Sequence, residues 1–541
     1  MGASSSTQQN LISPEQRELE SEAASTGALP ILHKAFSKLT NPQTNVIPLV
    51  SLQEIFSFTY NNPTQETTST IPECFPRLLV HLGQAVVDLF FRADKGGVTW
   101  IEFLRGYISC CGRKTVSTSL NNLYRLYALA SAKAGNPSTL EFESDDADSK
   151  INGFLMPSDA FVLLWLCWVM SQSSSILGVS EGKTNLDIPD IKHLVLSAVV
   201  YCAEVGNDLN ISDCSISSLE YRLPVGKFHM WALTTVPGLV QCLTQYLHDR
   251  LQKCAAVEDE LGPSNLSIGE ISLTEANDTY LLTCGRAWAI SLTQRGKLSE
   301  EILKASFLRD GKGVLENLLY RSAIHGKGLS RFWSNIEGYH GPLLILISAN
   351  SEDAHGCDGN VRRWVIGILT EQGFENRDVF YGNSGCLYSI SPVFHVFSSS
   401  GKEKNFIYSH LHPAGRVYEP HPKPVGIAFG GTIGNERIFV DEDFARLTIR
   451  HHAVDKSYQP GPLVPNQGFL PLEALIAEVE VWGLAGGKAK EEQSAYKNRE
   501  QLFTEQRRKV DLKTFGSWED SPEKMMMDMV TDPNQVKREN R

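Results

Sequence analysis

The chain has no CxxC pair, no apolar run long enough to span a bilayer and no surplus of positive charge. Each absence removes a class of function. Its eleven cysteines are scattered, and only Cys110 and Cys111 are adjacent, which fits neither a disulfide framework nor a zinc site. Reduced thiols in a cytosolic compartment are the expectation. The longest apolar run, Ala160–Met170, is about half of the ~20 residues that a membrane-spanning helix needs. The first thirty residues are polar and acidic and carry no signal-peptide core. Lys and Arg number 50 against 62 Asp and Glu, a net charge of −12. A general nucleic-acid binder releases phosphate counterions with a basic surface, so no nucleic-acid partner is expected.

What is present is an ordinary globular composition, 42% apolar and 21% charged over 541 residues. Residues 1–25 read as a mobile polar tail. Helical spacing of apolar residues recurs at Leu52–Phe58, Phe75–Phe91, Phe161–Met170, Asp187–Ala203, Lys227–Leu251, Thr279–Arg295 and Ser299–Phe307, with an acidic loop at Ser144–Asn152 and a linker at Ala256–Ser267. The texture changes after Arg309. Short β-rich runs at Leu343–Ser348, Arg363–Leu369, Cys386–Ile390, Val393–Phe397, Asn405–Tyr408, Ile438–Val440 and Ala477–Trp482 are punctuated by Gly, Asn and Pro, as in an antiparallel sheet. Lys488–Lys513 lacks Gly and Pro and is rich in Glu, Lys, Arg and Gln, so it should be helical.

The β-rich region resembles the TLDc family, with matching features in family order. Leu318–Ser322 looks like the opening helix, Gly341–Ile347 like the first core strand and Val365–Leu369 like the next. Tyr381-Gly382 and Ser391–Phe397 are similar to the central hairpin, Gly430-Gly431 and Phe439–Phe444 to the glycine-rich turn and acidic strand end, and Glu480–Leu484 to the closing strand. Gly382-Asn383-Ser384 departs from the pattern, lacking a Glu that many members place after the Gly. The layout as a whole is similar to the mTOR-associated, lysosomal branch, which has a myristoylation signal, an EF-hand-like helical region, the TLDc domain and a trailing helix. The resemblance implies an α+β multidomain chain: a tail (1–29), an EF-hand-like helical region (30–170), a second helical region (171–309), a TLDc two-sheet β-sandwich with flanking helices (310–486), and a C-terminal helix and tail (487–541). It also implies binding to the vacuolar proton-pumping ATPase, peripheral association with vacuolar, lysosomal or other endomembranes, and a role in oxidative-stress resistance or growth signalling.

Individual motifs refine this. Met1-Gly2-Ala3-Ser4-Ser5-Ser6 fits M-G-x-x-x-[ST], making Gly2 the lipidation candidate. One myristoyl chain gives marginal, reversible membrane contact, so a protein partner is needed as well. Two loops have calcium-loop spacing. The first places Phe91, Ala93 and Lys95 at ligand positions, with Gly96 at position 6 and Glu102 at 12. The second runs from Asp148 to Asp159, with Gly153 at position 6 and Lys150 at a ligand position. Calcium needs six or more oxygens, so neither loop should bind it tightly. Gly430–Gly434 is followed by a strand, which makes it a turn rather than a phosphate loop. Ser384, Cys386, His395 and His410 lack a nucleophile-elbow context, and adjacent His451 and His452 would point to opposite faces of a strand. No catalytic residue, metal site or cofactor is therefore expected. A thiol-dependent antioxidant enzyme and a calcium sensor stand as the alternatives to a non-enzymatic adaptor. The partner-binding candidates are Tyr496, Arg499, Leu502, Phe503 and Arg507 on a thin apolar stripe of the C-terminal helix, which is expected to be only loosely held by its own protein.

Overall fold

In the computed structural model, the described residues are 13–58, 72, 74–93, 96–144, 146, 148–171, 188–203, 219–256, 280–307, 316–352, 361–411, 422–451, 455–464 and 468–518. The expected linker at Ala256–Ser267 falls almost entirely outside them, as does Gly2.

The first part is helical: α1 (Pro14–Ser25), α2 (Leu29–Leu39), α3 (Leu49–Ile55), α4 (Cys74–Phe90), α5 (Trp100–Cys111), α6 (Val116–Lys133), α7 (Pro157–Ser171), α8 (Lys192–Ala203), α9 (Val225–Thr235), α10 (Gln241–Ala255), α11 (Cys284–Ser291) and α12 (Lys297–Phe307). Two of these correct the sequence reading. Residues 14–25 are not a mobile tail. Ser13 caps α1 by accepting from the Gln16 N–H at 3.1 Å, Pro14 presets the first turn, and the Trp100 indole donates to Glu20 at 2.9 Å. Lys227–Leu251 is two helices rather than one. Pro237 has no N–H to donate, and a short 3-10 turn, Pro237–Val240, separates α9 from α10.

The helices form pairs joined by short antiparallel contacts. Ile47, between α2 and α3, exchanges both backbone hydrogen bonds with Val98, between α4 and α5, at 2.9 and 2.8 Å. Asn45 and Gly96, each two residues earlier, both adopt positive φ. Phe154-Leu155 before α7 likewise pairs with Leu223-Pro224 before α9. Within the expected acidic loop, Ile151-Asn152 is paired with Glu141-Phe142. α7 is apolar on every face and is buried from Val162 to Met170. α10 crosses behind α2 and α7, placing Leu243, Tyr246, Leu247 and Leu251 in a core shared by both pairs, so no separate core begins at residue 171. No described helix is long and apolar enough to cross a membrane.

The second part is a curled antiparallel sheet of β1 (Leu318–Arg321), β2 (Leu343–Glu352), β3 (Val361–Thr370), β4 (Arg377–Tyr381), β5 (Gly385–Ser391), β6 (His395–Ser398), β7 (Ile407–His410), β8 (Gly426–Thr432), β9 (Asn435–Asp441), β10 (Arg446–Ile449) and β11 (Leu472–Gly483). The order is β6-β5-β3-β2-β11-β10-β9-β8-β7-β4, with β1 also on β11. Two corrections follow. The two layers implied by the resemblance are one hydrogen-bonded path. β11 is long enough to pair with β2 over Leu475–Gly483, with β10 over Leu472–Leu475 and with β1 over Glu480–Trp482. Leu318–Arg321 is a strand rather than an opening helix, because it completes the second half of β11; only Ser322–His325 (α13) is helical there.

The apolar run of β2 is explained by its two faces. Leu343, Ile345 and Ile347 point into the core enclosed by the curled sheet, while Leu344 and Leu346 point outward into the core of the helical half. Val365, Leu369, Tyr388, Ile390, Phe394 and Trp482 join them on that outer face. Gly430 and Gly431 have positive φ in the β8–β9 hairpin, where a Cβ on Gly431 would lie 2.3 Å from the Asn435 carbonyl oxygen; the run is a turn between strands, as expected. Behind it, fully buried Arg437 is held by Asp455 at 3.1 Å and by the carbonyls of Gln459 and Gly461.

Candidate docking helix

α14 (Leu329–Ile336) is a short amphipathic helix that buries Leu329, Phe332, Trp333 and Ile336 against the sheet. A helix end leaves carbonyls without intrahelical partners. Here they are met from the last helix, α15 (Gly486–Trp518). The buried Gln493 amide donates to the carbonyls of Asn335 at 2.8 Å and Glu337 at 3.2 Å, and Lys497 donates to Asn335 at 2.9 Å. Ala489 is buried in the sheet core, and Lys490 reaches the Glu316 carbonyl. Tyr496 lies over Gly338, whose φ is +76° and where a Cβ would come within 2.4 Å of the ring; its hydroxyl is 3.3 Å from Glu337. Burial raises the Tyr496 pKa and lowers that of Lys497.

Beyond Lys497 the helix leaves the domain. Every residue from Asn498 to Lys509 is exposed, including Leu502 at 60% and Phe503 at 55%. Arg499 donates only to its own helix, at Ala495, and Arg507 lies 5.4 Å over the Phe503 ring. At 1.5 Å per residue, the stretch from Asn498 to Trp518 reaches about 30 Å past its anchor. It presents Leu502 and Phe503 among Arg499, Arg507, Arg508 and Lys509, with only Glu500 and Glu505 opposing. Of the five candidates, Arg499, Leu502, Phe503 and Arg507 are free of the domain and Tyr496 is not. The expectation of a loosely held helix needs correction for its first three turns. Gln493, missed because a lone Gln on a charged helix reads as solvated, is a main anchor.

The other candidates are placed as follows. The Cys386 thiol is largely buried on β5, and burial pushes its pKa up; Gln294, Tyr388 and Ser398 hydrogen bond it, and none of these is a base at neutral pH. His395 is three residues along the strand from the Ser398 that faces Cys386 across the β5–β6 pair's end. His451 stacks on Phe469 at 5.3 Å, and His452 lies outside the described residues. Among the described residues no three His, Cys, Asp or Glu side chains converge as metal ligands. In the loops with calcium spacing, acidic side chains already have protein partners. Glu102 closes a capping box with Thr99, Asp148 accepts from Thr118, and Asp159 accepts from the Met156 N–H at 3.0 Å.

Residues 303–485 match the TLDc domain. The chain carries this domain between its helical half and α15. The TLDc match begins inside α12 and ends at the residue before α15, so α15 is an extension of the matched segment. Two yeast proteins named Restriction of telomere capping protein 5 are similar to the chain. The one from Zygosaccharomyces rouxii is 27% identical over 142 residues, covering 26% of this chain and 25% of that protein. The one from Kluyveromyces lactis is 25% identical over 147 residues, covering 26% of each. The match thus spans about a quarter of each relative's length.

Proposed function

We propose that this protein is a non-enzymatic adaptor whose TLDc domain holds α15 out as a docking arm for a membrane-associated complex, the vacuolar proton-pumping ATPase, in oxidative-stress resistance or growth signalling. The carrying observation is the division of α15: anchored through Ala489, Gln493, Tyr496 and Lys497, and exposed from Asn498 to Lys509. An unpartnered stretch with two large apolar side chains and a basic surround suits an acidic protein surface. The paired helices fit an EF-hand-like scaffold whose loops have been retired from calcium binding, since their carboxylates serve as caps and loop staples. Acylation of Gly2 supplies a second, reversible membrane contact.

The test is recovery of ATPase subunits by the full chain and by a chain ending at Asn498, which keeps every anchor and removes the arm. Loss of recovery with an unchanged melting temperature is expected; undiminished recovery overturns the docking role. Membrane fractionation of Gly2→Ala tests the lipid separately, with a reduced membrane fraction expected and an equal fraction overturning it.

A further inference from the structure

Four of the chain's eight methionines, Met525, Met526, Met527 and Met529, fall within five consecutive positions. They belong to the segment that follows α15, outside the described residues. From Glu519 to Asp532 the sequence sets Glu519, Asp520, Glu523, Asp528 and Asp532 against a lone Lys524, a net charge of −4. Methionine is unbranched and polarisable, and it moulds itself to irregular apolar surfaces. Met525, Met527 and Met529 also alternate, so an extended chain carries all three on one face. A methionine face in an acidic surround is the complement of an apolar face in a basic surround.

The outer stretch of α15 is such a face. Leu502 and Phe503 are both more than half exposed, and Arg507 stands 5.4 Å over the Phe503 ring. Between Asn498 and Lys509, Arg499, Arg507, Arg508 and Lys509 outnumber Glu500 and Glu505, a net charge of +2. Taking the two apolar side chains out of water favours any occupant that fits over them. A second copy of the arm would bring the same four basic side chains against these, and like charges disfavour that pairing. The segment after α15 has the opposite sign.

Its reach is also sufficient. Phe503 lies about 22 Å back along the helix from Trp518, at 1.5 Å per residue. Ser521-Pro522 is a turn signal just beyond Trp518. From Pro522 to Met529, extended chain spans up to about 23 Å, which brings Met529 level with Phe503. A segment joined by so short a linker meets the arm at an effective concentration in the millimolar range, far above that of a free competitor. We propose that residues 519–532 fold back along α15 and cap Leu502 and Phe503 with their methionines, with Asp528 and Asp532 set among the basic side chains. The cap is an internal competitor that a docking partner displaces. This regulatory consequence rests on the docking role of α15; the fold-back itself does not.

The experiment is hydrogen exchange of the backbone amides from Arg499 to Lys509 in the full chain, comparing wild type with the triple variant Met525→Ser, Met527→Ser and Met529→Ser. The variant keeps the length of the helix and every charge of the segment, so faster exchange is not fraying at a new chain end. Exchange through this stretch should be about tenfold faster in the variant, as expected when a cap that is closed nine-tenths of the time is lost. Equal exchange in the two proteins overturns the cap. Wild-type protection that fades on dilution marks a second copy and overturns it as well. No partner is present in this measurement, so its failure leaves the docking role of α15 untouched. Recovery of ATPase subunits is then compared for the same two proteins. Higher recovery by the variant supports displacement of the cap, and unchanged recovery beside faster exchange overturns that step alone.

Discussion

The two ends of α15 share one helix and comparable composition, yet only the first belongs to the fold. Up to Lys497, side chains find specific carbonyls and a glycine platform on the TLDc domain; from Asn498 to Lys509 they are exposed. The difference lies less in apolar content than in what the domain offers. The anchored end buries Ala489 and Gln493, whereas the free end carries the larger Leu502 and Phe503. Attachment here comes from a buried amide completing a neighbouring helix terminus. That leaves the big apolar residues for something outside the domain.

The contrast can be broken most sharply by truncation. A chain ending at Gly487 should lose about 3 kcal/mol of stability through the buried Gln493 contacts and the side chains around them, read as a lower denaturation midpoint, whereas a chain ending at Asn498 should match wild type. Equal midpoints for the two truncations would erase the distinction. Next in size is Gly338→Ala. The residue sits at φ +76° under Tyr496, and a loss of about 1–2 kcal/mol is expected, partly relieved when Tyr496 is also replaced by Ala. A strictly additive double mutant would show that the ring is not seated there. Gln493→Ala should cost about 1–2 kcal/mol by leaving the Asn335 and Glu337 carbonyls short of donors. At the smallest end, Leu502→Ala with Phe503→Ala should change stability by less than about 0.5 kcal/mol while weakening partner capture, because exposed positions contribute little to the fold.

Much of this architecture was legible in the sequence. Helical spacing located α4, α7 and α12, and the β-rich runs located β2, β3, β5 and β9, because each carries its periodicity within a few consecutive residues. What escaped depended on distant partners. Leu318–Arg321 is a strand because β11, some 160 residues on, has an open edge there. The split between α9 and α10 was visible in Pro237, and the apolar residues on both sides concealed it. Within the candidate site, the exposed residues of α15 could be named from composition, but Gln493 could not, since its role rests on the carbonyls of α14. Glu480 left a trace, a carboxylate whose neighbours Val479, Val481 and Trp482 are all buried, but only the structure shows that it serves the backbone amides of Leu281 and Leu282.

The position of β11 carries a consequence for how the molecule is made. Among the described strands it is the last synthesised, and it lies between β2 and β10 in the middle of the sheet. Until it leaves the ribosome, β2 and β10 are unpaired edges, and the outward side chains of β2 await a helical half that β11 itself helps to fix through Glu480. At about 5–20 residues per second, the roughly 120 residues between β2 and β11 keep the β2 edge open for several seconds or more. That interval is when the nascent chain is most exposed to mispairing and to capture by chaperones.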